Sequence, residues 1–311
     1  MIINDFLSLL IGFIICRVIF FLILPTLKKF FLDKPIRRSS HTIATPRGGG
    51  ICFVIVGMIT GILNQNLLFL IPIPLAIIGF IDDKKGVKPI YRFIVQFMTS
   101  IFLVYNSNFL INFNQLNLSI YIFIILFLTL VGTSLINFIN FMDGIDGLVI
   151  GSALLSFISL ALNSKASLYL FIGSLLSFLV LNWTPSKIFM GDVGSTYLGA
   201  LLFGFAIDFS TLNNSFMFLM ISFPLIYDAF ISLLRRFKNK EKIFSPHKSH
   251  LYQRLNQAGW SHPKVSLFYI FYSLCFSICY NLMNITAGIV TLILFIINTI
   301  YLEKKVAFRF N

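Results

Sequence analysis

Residues 119–147 read SIYIFIILFLTLVGTSLINFINFMDGIDG, and this stretch decides the fold class. Its first part, 119–136, is an apolar run long enough for a helix to cross most of a bilayer's hydrocarbon core, which takes about 20 residues. After it, Asn137, Asn140, Asp143 and Asp146 recur every third residue. On a helix, or nearly one, that spacing puts all four on one face. Two carboxylates and two carboxamides on one stripe are costly in so apolar a setting, and ionisable groups at membrane depth mark functional sites. The structural alternative is a stripe that only hydrogen-bonds neighbouring helices, a job done mostly by Ser, Thr or a single Asn.

The rest of the chain extends the reading. Of 311 residues, 58% are hydrophobic and 11% are charged, against about 25% charged in soluble domains. The chain is expected to be an all-α, polytopic integral membrane protein. Residues 1–311 form one membrane domain, because no stretch is long and polar enough for a separate soluble unit. The net charge of +13 is assigned to cytoplasmic loops and phosphate contacts, with no nucleic-acid partner. Cys16, Cys52, Cys275 and Cys279 all fall in apolar runs without CxxC spacing, so they read as small buried hydrophobes.

Apolar runs near 5–27, 49–64, 67–81, 91–106, 119–136, 148–163, 167–182, 194–210, 215–234, 264–282 and 285–302 predict about eleven transmembrane helices. Nearly all Lys and Arg fall on alternate connections. The opposite turns carry only Lys165. The positive-inside rule then predicts an extracytoplasmic N-terminus and a cytoplasmic C-terminus with Lys304, Lys305 and Arg309. On this topology the acids Asp82, Asp83, Asp143, Asp146 and Asp192 share the cytoplasmic side with His41, His247, His250 and His262. That pattern predicts an active site on cytoplasmic loops, where an ion pathway would string its acids across the bilayer.

Four further motifs carry chemistry. Asp82 and Asp83 close one span, and adjacent carboxylates serve either as a solvated loop end or as a shared cation site. Lys84, Lys85 and Lys88 beside them either neutralise the pair or hold a substrate phosphate. Asp192 lies between Gly191 and Gly194 ahead of Ser195, where a helix N-terminus favours an anion. A lone Asp there suits Mg²⁺, which takes one or two carboxylates plus phosphate oxygens. A simple helix-start turn explains the same residues. His247, Lys248, His250 and Arg254 sit in the largest cytoplasmic loop. The two histidines are short of partners as metal ligands and suit phosphate contacts better. His262 reads as part of a helix start. Thr45-Pro46-Arg47-Gly48-Gly49-Gly50 allows tight packing or a backbone anion contact.

Taken together, Asp82-Asp83, Asn137 through Gly147, Asn182 and Phe189 through Ser195 resemble the polyprenyl-phosphate N-acetylhexosamine-1-phosphate transferase family, in the same order. The resemblance runs from Pro46 to about Pro263. It implies a Mg²⁺-dependent enzyme, with Mn²⁺ able to substitute, in the bacterial inner (cytoplasmic) membrane. Such an enzyme moves an N-acetylhexosamine 1-phosphate from a UDP-sugar to a polyprenyl phosphate and releases UMP. It implies that Asp192 binds the metal, that Asn182 and Asp146 meet the uracil end, and that Phe189 stacks on the base. The 246–254 loop, like Ser39-Ser40-His41, is similar to the branch that starts O-antigen or related surface glycans. Muramoyl-pentapeptide enzymes carry three consecutive histidines in that loop.

The resulting assignment makes Asp82, Asp83, Asp143 and His247 catalytic, with Asp143 also helping Asp192 at the metal. Asn137, Asn140, Asp146, Asn182, Phe189, Lys88, Lys248, His250, Arg254 and Arg47 bind nucleotide, sugar or phosphate. Asp82 or Asp83 either deprotonates the lipid phosphate or attacks first to form an acyl-phosphate; the residues leave both open. Which of Asp143 and Asp146 faces the metal is also open. The assembly is compatible with a homodimer. The rival classes are a pentapeptide transferase, an ion-coupled transporter, and a membrane scaffold without chemistry.

Overall fold

The computed structural model describes residues 2–33, 44–111, 113, 115–163, 167–241 and 248–310. His247, Lys165 and the basic-loop residues Lys34, Arg37, Arg38, Ser39, Ser40 and His41 lie outside the described residues. The described chain is helical apart from a two-residue pair, β1 (Leu32–Asp33) antiparallel to β2 (Thr45–Pro46). The helices are α1 (Ile2–Phe30), α2 (Ile51–Leu63), α3 (Ile73–Lys85), α4 (Pro89–Tyr105), α5 (Asn108–Ile111), α6 (Leu118–Met142), α7 (Leu148–Asn163) and α8 (Tyr169–Asn182). Then come α9 (Gly191–Ile207), α10 (Leu212–Ile221), α11 (Phe223–Lys238), α12 (Leu251–Gln257), α13 (His262–Leu282) and α14 (Ile285–Lys305).

Each predicted apolar run contains a helix, but the run at 67–81 opens with a single 3-10 turn (Leu67–Phe69) before α3, and the run at 215–234 breaks into α10 and α11, bent by 79°. The predicted count of eleven crossings is not met by length. Four helices (Asn4–Phe30, α6, α13 and α14) are long and apolar enough to span, and the bent pair makes a fifth. Five more (α2, α4, α7, α8 and α9) are apolar but only 13 to 17 residues long. Burial explains how short helices persist here. In α9 every residue but Asp192 is buried, so its neighbours shield it from lipid.

Large apolar side chains point outward from the long helices: Leu22, Phe123, Leu282 and Ile297 are all exposed. This is the surface a bilayer covers. Between helices, serines supply polar contacts, with Ser156 against Ser222 at 3.2 Å and Ser159 against Ser277 at 2.6 Å. Hydrogen bonds of this kind tie helices together where apolar association has no aqueous driving force. The four cysteines are free thiols; Cys16, Cys52 and Cys279 are buried and Cys275 half-buried, as expected.

The motifs around Asp82–Asp83, Asn140 and Asp192 meet at the N-terminus of α9, which packs against α3 and α6. At the α3 crossing a Cβ on Gly79 would lie 2.6 Å from the Asp192 carbonyl carbon. Only glycine lets the two backbones meet there. The Arg47–Gly50 segment joins the same junction. The Gly49 and Gly50 amides donate to the Phe189 and Met190 carbonyls, and the Phe189 amide donates to Pro46.

Candidate active site

Asp83 anchors the cluster. Its carboxylate is buried and accepts the backbone N–H groups of Asp192 (3.0 Å) and Val193 (3.3 Å). Arg47 Nη2 lies 2.6 Å from its Oδ1. The anion expected at the helix start near Gly194–Ser195 is therefore the protein's own Asp83, one turn earlier, at the true start of α9. Asp82 turns the other way and accepts from Arg92 Nη1 at 2.7 Å and from the Val87 amide. Adjacent carboxylates thus avoid one another, each with its own arginine.

Asp192 sits between the two cations. Its Oδ2 is 3.0 Å from Arg92, and its Oδ1 is 3.7 Å from Arg47. Asn140 Nδ2 donates to Asp192 Oδ1 at 3.1 Å and to Ser195 Oγ at 2.8 Å. A narrow crevice beside Asp192 is lined by Leu75, Ile78, Arg92, Gln96 and Thr196. Asp143 completes the acidic group. Burial, followed by the negative charges of Asp192 and Asp83, pushes its carboxyl up to about 8, with Arg47 opposing the shift.

Asp146 faces elsewhere. Its Oδ2 accepts from Thr184 Oγ1 at 2.9 Å and lies 3.4 Å from His262 Nδ1. Its backbone carbonyl accepts from Ser266 at 2.7 Å. Burial raises this carboxyl, but the contact with His262, aided by Thr184 and Ser186, outweighs that and holds it below the usual carboxylate range. Asp143 faces the Asp192 cluster, and Asp146 faces the 184–186 loop and the start of α13.

Other expected residues are placed differently. Asn182 is buried, and both ends of its amide are engaged: Oδ1 accepts from the Gly147 amide at 3.0 Å and Nδ2 donates to the Ile188 carbonyl at 2.9 Å. It clips two loops together. Asn137 donates to Gln96 Oε1 and to the Thr133 carbonyl, both at 2.8 Å, so it ties α6 to α4. Phe189 is half-buried beside Pro46 and Gly49, Lys88 is exposed at the start of α4, and Lys248 is half-buried. His250 is buried, with Nδ1 3.8 Å from Asp228, and its ring stacks on Tyr252.

Arg254 requires a correction. It is buried, with Nη2 2.8 Å from Glu303 Oε1, and its backbone carbonyl accepts from the Phe308 amide. Arg235 also pairs with Glu303, and both guanidiniums face the Phe310 ring. Arg254 therefore holds the C-terminal segment and does not reach the acidic cluster. Arg92 and His262 join the site without a role assigned to them from the sequence. For Arg92 a signal existed: it lies four residues after Lys88 at the start of an apolar helix, one turn along the same face.

Comparison with known proteins decides the family. Phospho-N-acetylmuramoyl-pentapeptide-transferase of Staphylococcus saprophyticus is 32% identical over 304 residues, covering 83% of this chain and 91% of the relative. The family model for glycosyl transferase family 4 matches residues 66–210. The chain belongs to glycosyl transferase family 4. The match contains every acid of the cluster and Arg92, whereas Arg47 and the 248–254 loop fall outside it. The probable undecaprenyl-phosphate N-acetylglucosaminyl 1-phosphate transferase of Bacillus subtilis is 27% identical over 288 residues, covering 82% of this chain and 79% of the relative. The undecaprenyl-phosphate alpha-N-acetylglucosaminyl 1-phosphate transferase of Thermotoga maritima is 28% identical over 253 residues, covering 81% of each. Both kinds of transferase thus match over about four-fifths of this chain. Membership in a family of membrane transferases sets aside the transporter reading.

Proposed function

We propose that this protein transfers an N-acetylhexosamine 1-phosphate from a UDP-sugar to a polyprenyl phosphate and so starts a lipid-linked surface glycan. The observation that carries the reading is the meeting of Asp83, Asp143 and Asp192 with Arg47 and Arg92 at one helix end. Such a site offers paired cations and hard oxygens to a diphosphate. In the proposed topology the cluster opens to the cytoplasm, where nucleotide sugars are found, at the membrane edge that a lipid phosphate reaches.

A Mg²⁺ ion, or Mn²⁺ with the same ligands, fits this donor set. Among the described residues no group of three or more His, Cys, Asp or Glu side chains is placed to hold a metal ion by itself. Mg²⁺ needs only one or two carboxylates when phosphate oxygens complete its shell. Burial first, and then the charges of Asp192 and Asp83, raise the Asp143 carboxyl, and a dication beside it would favour its ionised form. Asp192 would hold the ion, with Asp143 beside it. When bound, the ion neutralises the donor diphosphate and the charge that develops on departing UMP.

The chain's own groups do the rest. Arg47 and Arg92 bind diphosphate oxygens and align the donor. Asp82 keeps the acceptor phosphate ionised. An oxygen of that acceptor phosphate attacks the β-phosphorus, the bond from that phosphorus to the bridging oxygen breaks, and UMP leaves with that oxygen. Prior attack by Asp83 would require giving up two backbone hydrogen bonds and the Arg47 pair, and prior attack by Asp82 would require giving up the Val87 amide or Arg92, so direct displacement is the favoured route. Asp146, oriented by Thr184 and His262, faces the nucleotide base.

A second donor is favoured by a specific observation, the 32% identity to a pentapeptide transferase. One experiment decides between them. Detergent-purified protein, undecaprenyl phosphate and Mg²⁺ are incubated with UDP-N-acetylglucosamine, UDP-N-acetylgalactosamine or UDP-N-acetylmuramoyl-pentapeptide. UMP release with one of the first two supports the surface-glycan reading, and release with the third alone replaces it. No release with any of them refutes the function.

A further inference from the structure

Asp228 is a buried acid on α11 with no place in the chemistry described above. Its carboxylate collects four hydrogen bonds. Oδ1 accepts from the Leu251 amide at 2.7 Å and from Ser232 Oγ at 3.2 Å. Oδ2 accepts from the Tyr252 amide at 3.0 Å and from Tyr269 Oη at 2.7 Å. The carboxylate caps the first two amides of α12 from outside that helix, where orphan N–H groups need an acceptor. Burying an unpaired carboxylate is expensive, so a site with four donors is a built one.

The second capped residue reaches the acidic turn. Tyr252 is buried, and its hydroxyl donates to the Phe141 carbonyl at 3.1 Å. A Cβ at Gly144 would collide with that hydroxyl oxygen. Phe141 and Gly144 bracket Asp143, at the last turn of α6 that also presents Asn140. The chain of contacts runs from Asp228 through the α12 backbone and the Tyr252 ring to the peptide units on either side of Asp143.

We propose that Asp228 is a positioning residue. It sets the height of Tyr252, and Tyr252 sets the Phe141–Gly144 turn that carries Asp143 and Asn140. The link to catalysis rests on the proposed function, whereas the mechanical link does not.

The test uses full-length protein in detergent and the variants Asp228→Asn, Tyr252→Phe and the double variant. Tyr252→Phe removes one hydroxyl and keeps the ring, so it retains the fold even where Asp228→Asn does not. Hydrogen–deuterium exchange of peptides covering 139–147 is expected to quicken by at least about fivefold in Tyr252→Phe, with peptides from α9 unchanged. In UMP release, Tyr252→Phe should lower kcat by about tenfold and leave KM for the UDP-sugar within about twofold, the signature of a displaced acid and not of a loosened protein. The double variant should be no slower than Asp228→Asn, because both act along one path. Unchanged exchange at 139–147, or multiplicative losses in the double variant, would overturn the proposal. If the wild-type protein releases no UMP, the proposed function fails and the exchange measurement alone decides the mechanical link.

Discussion

Replacing Arg92 with Ala is the sharpest perturbation of the acidic cluster. Arg92 Nη1 bridges Asp82 at 2.7 Å and Asp192 at 3.0 Å, with side-chain exposures of 27%, 10% and 15%. Fully exposed pairs contribute about 0–1 kcal/mol, whereas breaking a buried pair costs about 3–5 kcal/mol. This partly buried contact lies between, at about 1–2 kcal/mol for its Asp192 half. The guanidinium competes with a cation for Asp192. Its loss should therefore strengthen Mg²⁺ binding by about 5–30-fold, since 1.4 kcal/mol is tenfold. Turnover should move the opposite way, because one of the two cations aligning the diphosphate is gone; kcat/KM for the UDP-sugar is expected to fall at least about tenfold. Calorimetric Mg²⁺ titration of donor-free protein gives the first quantity, and UMP release gives the second. Arg92→Lys restores charge without the planar fork and should recover the Mg²⁺ affinity more fully than the turnover. Unchanged or weakened Mg²⁺ binding in Arg92→Ala would refute the placement of the cation beside Asp192.

Asp143 predicts a pH effect. Its carboxyl titrates at about 8 in the folded metal-free protein and near about 3.9 when unfolded, so between those values the folded state holds the extra proton. Stability without metal should therefore fall as pH rises from about 4 to 8, and thermal melting in chelator should show a slope that Asp143→Asn removes. Gly191→Ala should destabilise by at least about 2 kcal/mol, because Gly191 has φ +72° and a Cβ there would meet the Asp83 carboxylate; an unchanged melting temperature would contradict this. Arg254→Ala should lower the melting temperature and leave KM for the UDP-sugar within about twofold, since its charge is spent on Glu303; a large KM rise at constant stability would return it to phosphate binding.

The helices were legible because their signal is local. Apolar runs, charge-bearing loops and proline or glycine boundaries each lie within one segment of sequence. Pairings across the chain were not. Nothing near Asp83 shows that its carboxylate caps a helix beginning 108 positions later, and nothing near Arg254 reveals Glu303. A basic residue in a polar loop reads the same whether it meets a phosphate or a buried carboxylate. Asn182 illustrates this from the polar side: a carboxamide beside a glycine-rich loop suits ligand contact and backbone clipping equally, and here the Gly147 amide and the Ile188 carbonyl take it.

The opening stripe fails at an informative point. Three-residue spacing keeps Asn137, Asn140, Asp143 and Asp146 on one face only while the chain stays helical. The helix ends at Met142, and Asp143 already leaves helical geometry with φ −82° and ψ 53°. Gly147 then turns at φ +75°, and its amide is held by Asn182. The chain swings away between the two acids, so Asp143 stays with Asp192 while Asp146 meets Thr184 and His262. A continuous stripe would have stacked both carboxylates on one cation. On the proposed function, the break gives one short motif two ends, one for the phosphate side of the donor and one for its base side. A one-residue deletion between Asp143 and Asp146 should therefore uncouple nucleotide affinity from Mg²⁺ affinity, weakening UDP binding while Mg²⁺ binding to donor-free protein persists. Loss of both together would mean the two acids work as a single site.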